Sequence, residues 1–265
     1  MSSHISEEQY QSGVNAVWKA TAILSVITIV EVIVALTLGH LLPRFLLNSF
    51  YAIDPYTDSV RKDFGIAESE YFFLQPTRVI QRKGIEHAIE LMRRLDLPAK
   101  LIISHASGDE GNDYEQRVRE YAHLLDVTVR FEADQVQDER GTTKDRQKIY
   151  TLGDVYPHAD MVTYPSSIEG FGNAFLEAVY YKRLILVNNY SIYEVDIKPK
   201  GFHTLWFDGF ISTSTLDAVR NALKHPALTQ EWAETNYQLA KRYFSYTVLE
   251  RRLESVVADC LGYQV

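Results

Sequence analysis

Cysteine is almost absent from this sequence. The single residue, Cys260, excludes an internal disulfide, and it stands at an apolar position of an expected C-terminal helix. We expect it to be a small core residue. No cluster of His, Cys, Asp and Glu with the spacing of a metal site is visible either, so the sequence predicts no metal.

Basic residues are also scarce. Lys and Arg number 27 against 35 Asp and Glu, which gives a formal net charge of −8. This balance excludes a nucleic-acid partner, because binding to many phosphates requires clustered cations. A single nucleotide stays compatible with it, since one diphosphate needs one or two cations and a helix N-terminus. The 265 residues, 46% hydrophobic and 23% charged, suit one large or two small globular domains.

Charge is missing from one long stretch, residues 20–38. These 19 residues contain 11 Leu, Ile or Val, no Lys or Arg and one acid, Glu31. As a helix they would measure about 28 Å, close to the roughly 30 Å of a bilayer core. We expect a single transmembrane helix, with a buried helix or a signal sequence as alternatives. Arg61 and Lys62 favour a cytoplasmic location for the rest of the chain.

Beyond residue 50, short apolar runs alternate with helical patterns. Alternation at this spacing predicts an α/β fold, a Rossmann-like doubly wound parallel sheet. The expected domains are an N-terminal segment, 1–50, and a nucleotide-binding domain, 51–265. The expected strands are 71–75, 100–104, 127–131, 161–164 and 184–187, with helices over 144–154, 173–181 and three C-terminal segments that begin near Leu216, Trp232 and Thr247.

The segment from Ser166 to Ala178 predicts an anion site. It follows the strand that ends at Pro165 and contains two glycines before a helix that begins at Asn173. A glycine-bearing turn at a helix N-terminus offers free N–H groups and the positive end of the helix dipole to a phosphate. Glu169 and Glu177 add carboxylates that bind hydroxyl groups.

The residues Glu169-Gly170-Phe171-Gly172 followed by Glu177-Ala178 resemble the donor-site motif of family-4 retaining glycosyltransferases. The resemblance covers about 51–261 and implies transfer of a hexose, with retention, from a nucleotide-sugar. It implies that Glu177 binds the ribose and that the catalytic Glu169 lies beside the transferred sugar. Donor-binding backbone is implied at Gly170, Phe171, Gly172 and Asn173. The alternative is a solvated turn acid and a helix-surface acid.

Two cations follow the first strand. Arg78 and Lys83, with Gly84 before a helix, resemble the diphosphate site of the same family. Carboxyl ends of strands are where open α/β sheets bind ligands. The alternative is two surface cations, with Arg82 an equal third. His105, at the end of the next strand, is either a ligand contact or a loop residue.

The resemblance carries three further expectations. The base would lie near Arg130 and Phe131. The Asp-x-Asp pattern by which other glycosyltransferases hold a divalent ion does not occur, so we expect a metal-independent site without a cofactor. In such enzymes the acceptor half precedes the donor half and is well over a hundred residues long, whereas residues 1–50 precede it here. A partner is therefore expected to supply the acceptor half, and the identity of the acceptor stays unknown.

A second resemblance concerns residues 1–50. The first membrane helix of a bacterial cytochrome c oxidase subunit IV-like protein resembles three segments here: Ala16 to Lys19, Thr28 to Val32 and Leu42 to Asn48.

The two resemblances together leave three hypotheses. The first is a hexosyltransferase donor domain held at the membrane and facing the cytoplasm. The second is a membrane-anchored nucleotide-sugar binding module without turnover, and the third is a subunit of a respiratory membrane complex.

Overall fold

Six parallel strands form the main sheet of the protein, whose computed structural model describes residues 54–108 and 111–261, with side chains as far as residue 257. The strand order is β3-β2-β1-β6-β7-β8. The strands, including a separate antiparallel pair, β4 and β5, are β1 Tyr71–Gln75, β2 Ala99–Ile103, β3 Val129–Phe131, β4 Gly141–Thr142, β5 Lys148–Ile149, β6 Met161–Tyr164, β7 Leu184–Asn188 and β8 Leu205–Phe207. The expected α/β fold with a parallel sheet is confirmed.

Helices connect the strands and cover both faces of the sheet. They are α1 Val60–Asp63, α2 Ile85–Leu95, α3 Asp113–Leu124, α4 Leu152–Val155, α5 Asn173–Tyr180, α6 Thr213–Lys224, α7 Pro226–Phe244 and α8 Tyr246–Leu261. The six strands are parallel, so each connection brings the chain back to the same edge of the sheet before the next strand begins; the connection from β3 to β6 also passes β2 and β1. This arrangement places all strand carboxyl ends at one edge. The candidate site residues therefore meet at that edge.

Two apolar layers form because side chains of a strand alternate between the faces of the sheet. In β1, Phe72 and Leu74 pack with Tyr150 and Phe175 on one face. Phe73 points to the other face and packs with Ile89 of α2. All three β1 side chains are fully buried. Burial on both faces explains why β1 is a continuous apolar run instead of an alternating one.

The expected helix over 144–154 is wrong. Lys148–Ile149 pairs as a strand with Gly141–Thr142, and helix α4 begins only at Leu152. Thr151 accepts a hydrogen bond from the Asp154 N–H, while the Asp154 carboxylate accepts one from the Thr151 N–H. This capping box fixes the start of the helix, and strand pairing holds the preceding residues extended.

Several expectations lie outside the described residues. These are the transmembrane helix over 20–38, the resemblance of residues 1–50 and the side chain of Cys260. Within 54–108 and 111–261, no helix is long and apolar enough to cross a membrane. The domain boundary near residue 50 stays a prediction.

Candidate functional site

The turn between β6 and α5 depends on Gly172. This residue is the N-cap of α5 and has φ 95° and ψ 76°. A Cβ there would lie 2.8 Å from the Tyr164 hydroxyl oxygen and 3.0 Å from that of Tyr190. A side chain is therefore excluded both by the backbone conformation and by space. The tight turn at Gly172 connects the segment that follows β6 to the first residue of α5.

The N-terminus of α5 is open. No side chain among the described residues caps it, and the Phe175 N–H donates to the Gly172 carbonyl. Asn173 is exposed, and a Cβ added at Gly170 would meet no atom within 4 Å. The Phe171 ring instead turns inward, at 4.8 Å between centroids from Phe244. The segment thus presents backbone amides, with the positive end of the helix dipole, to an incoming anion.

The loop after β1 is joined to the turn after β6. The Ser167 N–H donates to the Arg82 carbonyl at 2.9 Å. Gly84 has φ 60°, and a Cβ there would lie 2.5 Å from the Pro165 carbonyl oxygen. The backbone at Gly84 can approach Pro165 this closely because glycine has no Cβ. The close approach holds Lys83 beside the β6 turn.

Lys83 and Glu169 form an ion pair at the junction of these loops. Their side chains are only 11% and 8% exposed. Arg82 adds a second contact at 3.3 Å to the other carboxylate oxygen of Glu169. Burial alone would raise the pKa of Glu169. The hydrogen bond and charge of Lys83, together with the neighbouring Ser166 and Tyr164 hydroxyls, outweigh burial and lower the pKa below its usual value. Glu169 is therefore ionised at neutral pH.

Arg78 lies in the β1 loop and is exposed. Its carbonyl accepts from the Ile80 N–H, whereas its guanidinium forms no hydrogen bond or ion pair with the described part of the chain. A Cβ at Gly108 would lie 3.6 Å from its Nη1, so the guanidinium runs along the loop that follows β2. Among the described residues, the cations that contact Glu169 are Lys83 and Arg82, and Arg78 is not paired with this carboxylate.

Glu177 projects from α5 one helical turn beyond Asn173 and is half-buried. The Tyr156 hydroxyl donates to its Oε2 at 3.1 Å. Tyr156 is fully buried, and burial, with the neighbouring Glu177 charge, raises the pKa of its hydroxyl well above the ordinary value. Sequence reasoning missed Tyr156, because nothing in its local pattern indicates that its hydroxyl reaches α5.

His105 follows the end of β2. Ser104 Oγ is 2.7 Å from its Nδ1. Burial lowers the pKa of His105, the Glu177 carboxylate acts against this change, and Arg78 and Lys83 add to it. His105 is therefore neutral at pH 7.

The residues expected near the base are already engaged with protein groups. Arg130 Nε donates to the Glu132 carboxylate at 2.5 Å. The Arg119 guanidinium lies 3.7 Å from the centre of the Phe131 ring. The location of a base near these two residues stays a prediction.

No cluster of three or more His, Cys, Asp or Glu that could hold a metal ion occurs within 54–108 and 111–261. Lys83 and Arg82 contact Glu169 in the turn before α5, and Arg78 belongs to the same β1 loop. The arrangement suits a polyanion with hydroxyl groups: amides and cations meet phosphate, while Glu169 and Glu177 accept from hydroxyls.

Two curated relatives are named mannosylglucosylglycerate synthase. The chain is 32% identical to the Petrotoga mobilis protein over 173 residues, which covers 58% of this chain and 40% of that protein. It is 28% identical to the Thermotoga maritima protein over 220 residues, covering 72% and 49%. The chain thus spans less than half the length of these relatives.

Solved structures share the fold. The Anabaena protein HepE, solved in complex with UDP-glucose, superposes with a TM-score of 0.63 at 14% sequence identity, covering 80% of this chain and 55% of that one. The family model described as glycosyl transferases group 1 matches residues 57–239. That range holds the whole parallel sheet and every candidate site residue. The chain belongs to the glycosyl transferases group 1 family.

Proposed function

We propose that this chain binds a nucleotide-sugar and is the donor half of a retaining hexosyltransferase. The observation that carries the proposal is the meeting of Lys83, Glu169 and the open α5 N-terminus at the strand carboxyl ends. Family membership and the UDP-glucose complex of the structurally similar HepE support it. The two relatives, by their names, form mannosylated products.

Each site residue has a role in this proposal. Arg78 and Lys83 bind the diphosphate, with the backbone of Gly170, Phe171, Gly172 and Asn173. Glu177 accepts hydrogen bonds from the ribose hydroxyls. When the bond between the anomeric carbon and the diphosphate oxygen breaks, negative charge develops on the leaving diphosphate. Fixed cations and amides aimed at that charge stabilise the transition state without reorganisation.

Glu169 is proposed as the catalytic group beside the transferred sugar. Its carboxylate is ionised and held by Lys83. In that position it stabilises positive charge at the anomeric carbon as the diphosphate leaves. The acceptor oxygen bonds on the same face, and the proton of its hydroxyl passes to the leaving diphosphate. The reaction needs no metal in this proposal, since Arg78 and Lys83 offset the charge of the diphosphate.

The acceptor and the membrane belong to the proposal as well. A second domain, supplied by a partner or by further polypeptide, would complete the acceptor side of the cleft. Residues 20–38 would anchor the chain, with the transferase domain in the cytoplasm, where nucleotide-sugars are made. The respiratory-complex resemblance of residues 1–50 has no described residue to support it, and no function is proposed from it.

Titration calorimetry of the full chain tests donor binding. Uridine, guanosine and adenosine, their diphosphates and the corresponding diphosphoglucoses and GDP-mannose are titrated in turn. Arg78→Ala and Lys83→Ala should weaken diphosphate binding by about 1.5–3 kcal/mol and leave nucleoside binding unchanged. Glu177→Ala should weaken both by a similar amount, about 1–3 kcal/mol.

Two results would count against the proposal. Absence of binding by the wild-type chain at millimolar nucleotide would reject the donor site itself. Binding without transfer or donor hydrolysis, even when candidate acceptors and a partner domain are present, would favour the binding module without turnover.

A further inference from the structure

We propose that Tyr156 is a positioning residue that fixes the Glu177 carboxylate for the ribose of the donor. The inference rests on the proposed function, since it deepens the role of Glu177 there. Tyr156 belongs to the turn between α4 and β6, whereas Glu177 belongs to α5. Their hydrogen bond, Tyr156 Oη to Glu177 Oε2 at 3.1 Å, therefore joins two elements that are separate in sequence.

The Tyr156 ring is held independently of Glu177. It is fully buried, and it stacks on the Tyr181 ring with 4.8 Å between centroids and 11° between planes. Pro157 follows directly and restricts the backbone of the turn. The hydroxyl position is thus set by packing, and Glu177 adjusts to it.

Glu177 is the better of the two acceptors that the hydroxyl reaches. The other is the Ala174 carbonyl, at 3.4 Å. A carboxylate accepts a shorter and stronger hydrogen bond than a backbone carbonyl. Because the pKa of Tyr156 is raised, the hydroxyl keeps its proton and continues to donate throughout the neutral range.

The consequence concerns the orientation of the free oxygen. With Oε2 engaged by Tyr156, Oε1 and the remaining lone pairs of Glu177 are available to the ribose hydroxyls. A glutamate without this partner would lose more side-chain freedom when the ligand binds, which costs affinity. Tyr156 acts on the nucleoside part of the donor only, so its effect should not depend on the phosphates.

A double-mutant cycle tests the inference in the full chain. Tyr156→Phe keeps the ring and its stacking on Tyr181 and removes the donor. It should weaken the binding of the nucleoside and of its diphosphate by the same factor, about 3- to 10-fold. In the Glu177→Ala background the same substitution should have no further effect, because the acceptor is already gone.

Tyr193→Phe is the matched control. Tyr193 is equally buried, but its hydroxyl pairs with Thr204 Oγ1 at 2.5 Å, away from Glu177. It should lower stability without changing nucleoside affinity. The rise in Tm at saturating nucleotide gives a second measure of affinity if Tyr156→Phe is less stable than the wild type.

The outcomes separate the inference from the proposed function. An unchanged affinity in Tyr156→Phe, or an equal loss in the presence and absence of Glu177, would overturn the positioning role. If Glu177→Ala binds nucleosides and nucleotides as tightly as the wild type does, the ribose role of Glu177 is rejected instead. A wild-type chain that binds no nucleotide would reject the donor site and the inference together.

Discussion

Lys83 and Glu169, 86 positions apart in sequence, form a largely buried ion pair where the β1 loop meets the β6 turn. Lys83 is a proposed phosphate ligand, and Glu169 is a proposed neighbour of the sugar. In the proposed function a phosphate oxygen also binds Lys83. Lys83 would then exchange or share its anionic partner when the donor binds.

Glu169→Gln should strengthen the binding of a nucleoside diphosphate. Removing the carboxylate charge leaves Lys83 and Arg82 with uncompensated positive charge, which favours an incoming phosphate. We expect a gain of about 1–2 kcal/mol for the diphosphate and no change for the nucleoside. Transfer should be lost at the same time. Calorimetry on the full chain measures the first effect, and unaltered or weaker diphosphate binding would contradict it.

Acid should remove the stabilisation that Glu169 provides. Its folded pKa is lowered from 4.5, so its contribution is fully present above about pH 4.5. The contribution is lost as the pH falls through the lower folded value. The difference in Tm between the wild type and Glu169→Gln should therefore shrink below pH 4.5. A difference that stays constant down to pH 3 would show that the ion pair does not stabilise the fold.

Gly172→Ala should destabilise the domain by about 1–3 kcal/mol, because alanine is strained at positive φ and its Cβ would meet the Tyr164 hydroxyl. Urea unfolding measures this change. Gly170→Ala is the control in the same turn: a Cβ there meets no atom within 4 Å, and its φ lies outside the left-handed region. Equal losses in the two variants would show that the tight approach at Gly172 is not what stabilises the turn.

The full chain should partition with membranes, and a chain without residues 1–50 should not. The reason is the charge-poor run over 20–38, while every element of the sheet lies beyond residue 70. Fractionation of both chains measures the distribution. Recovery of the full chain in the soluble fraction without detergent would reject the anchor. Reporter fusions at the two ends then test whether the C-terminus faces the cytoplasm.

Local sequence accounts for much of the sheet. Tyr71–Gln75 and Met161–Tyr164 were predicted with the bounds that the structure has, since each is a short apolar run with a proline directly after it. The start of α5 after Gly172 was also predicted, from the glycine turn. By contrast, β8, Leu205–Phe207, was not identified, because three residues carry too little pattern.

The sequence by itself determined the alternation of strands and helices and the glycine turn at the α5 N-terminus, and it supplied the residue types from which an anion site is proposed. These follow from hydrophobic period and backbone conformation, which are properties of neighbouring residues. Only the tertiary structure decided that Lys83 pairs with Glu169 and that Tyr156 holds Glu177. It also decided that Lys148–Ile149 is a strand. Those outcomes depend on contacts between distant segments, where pairing and burial outweigh local preference.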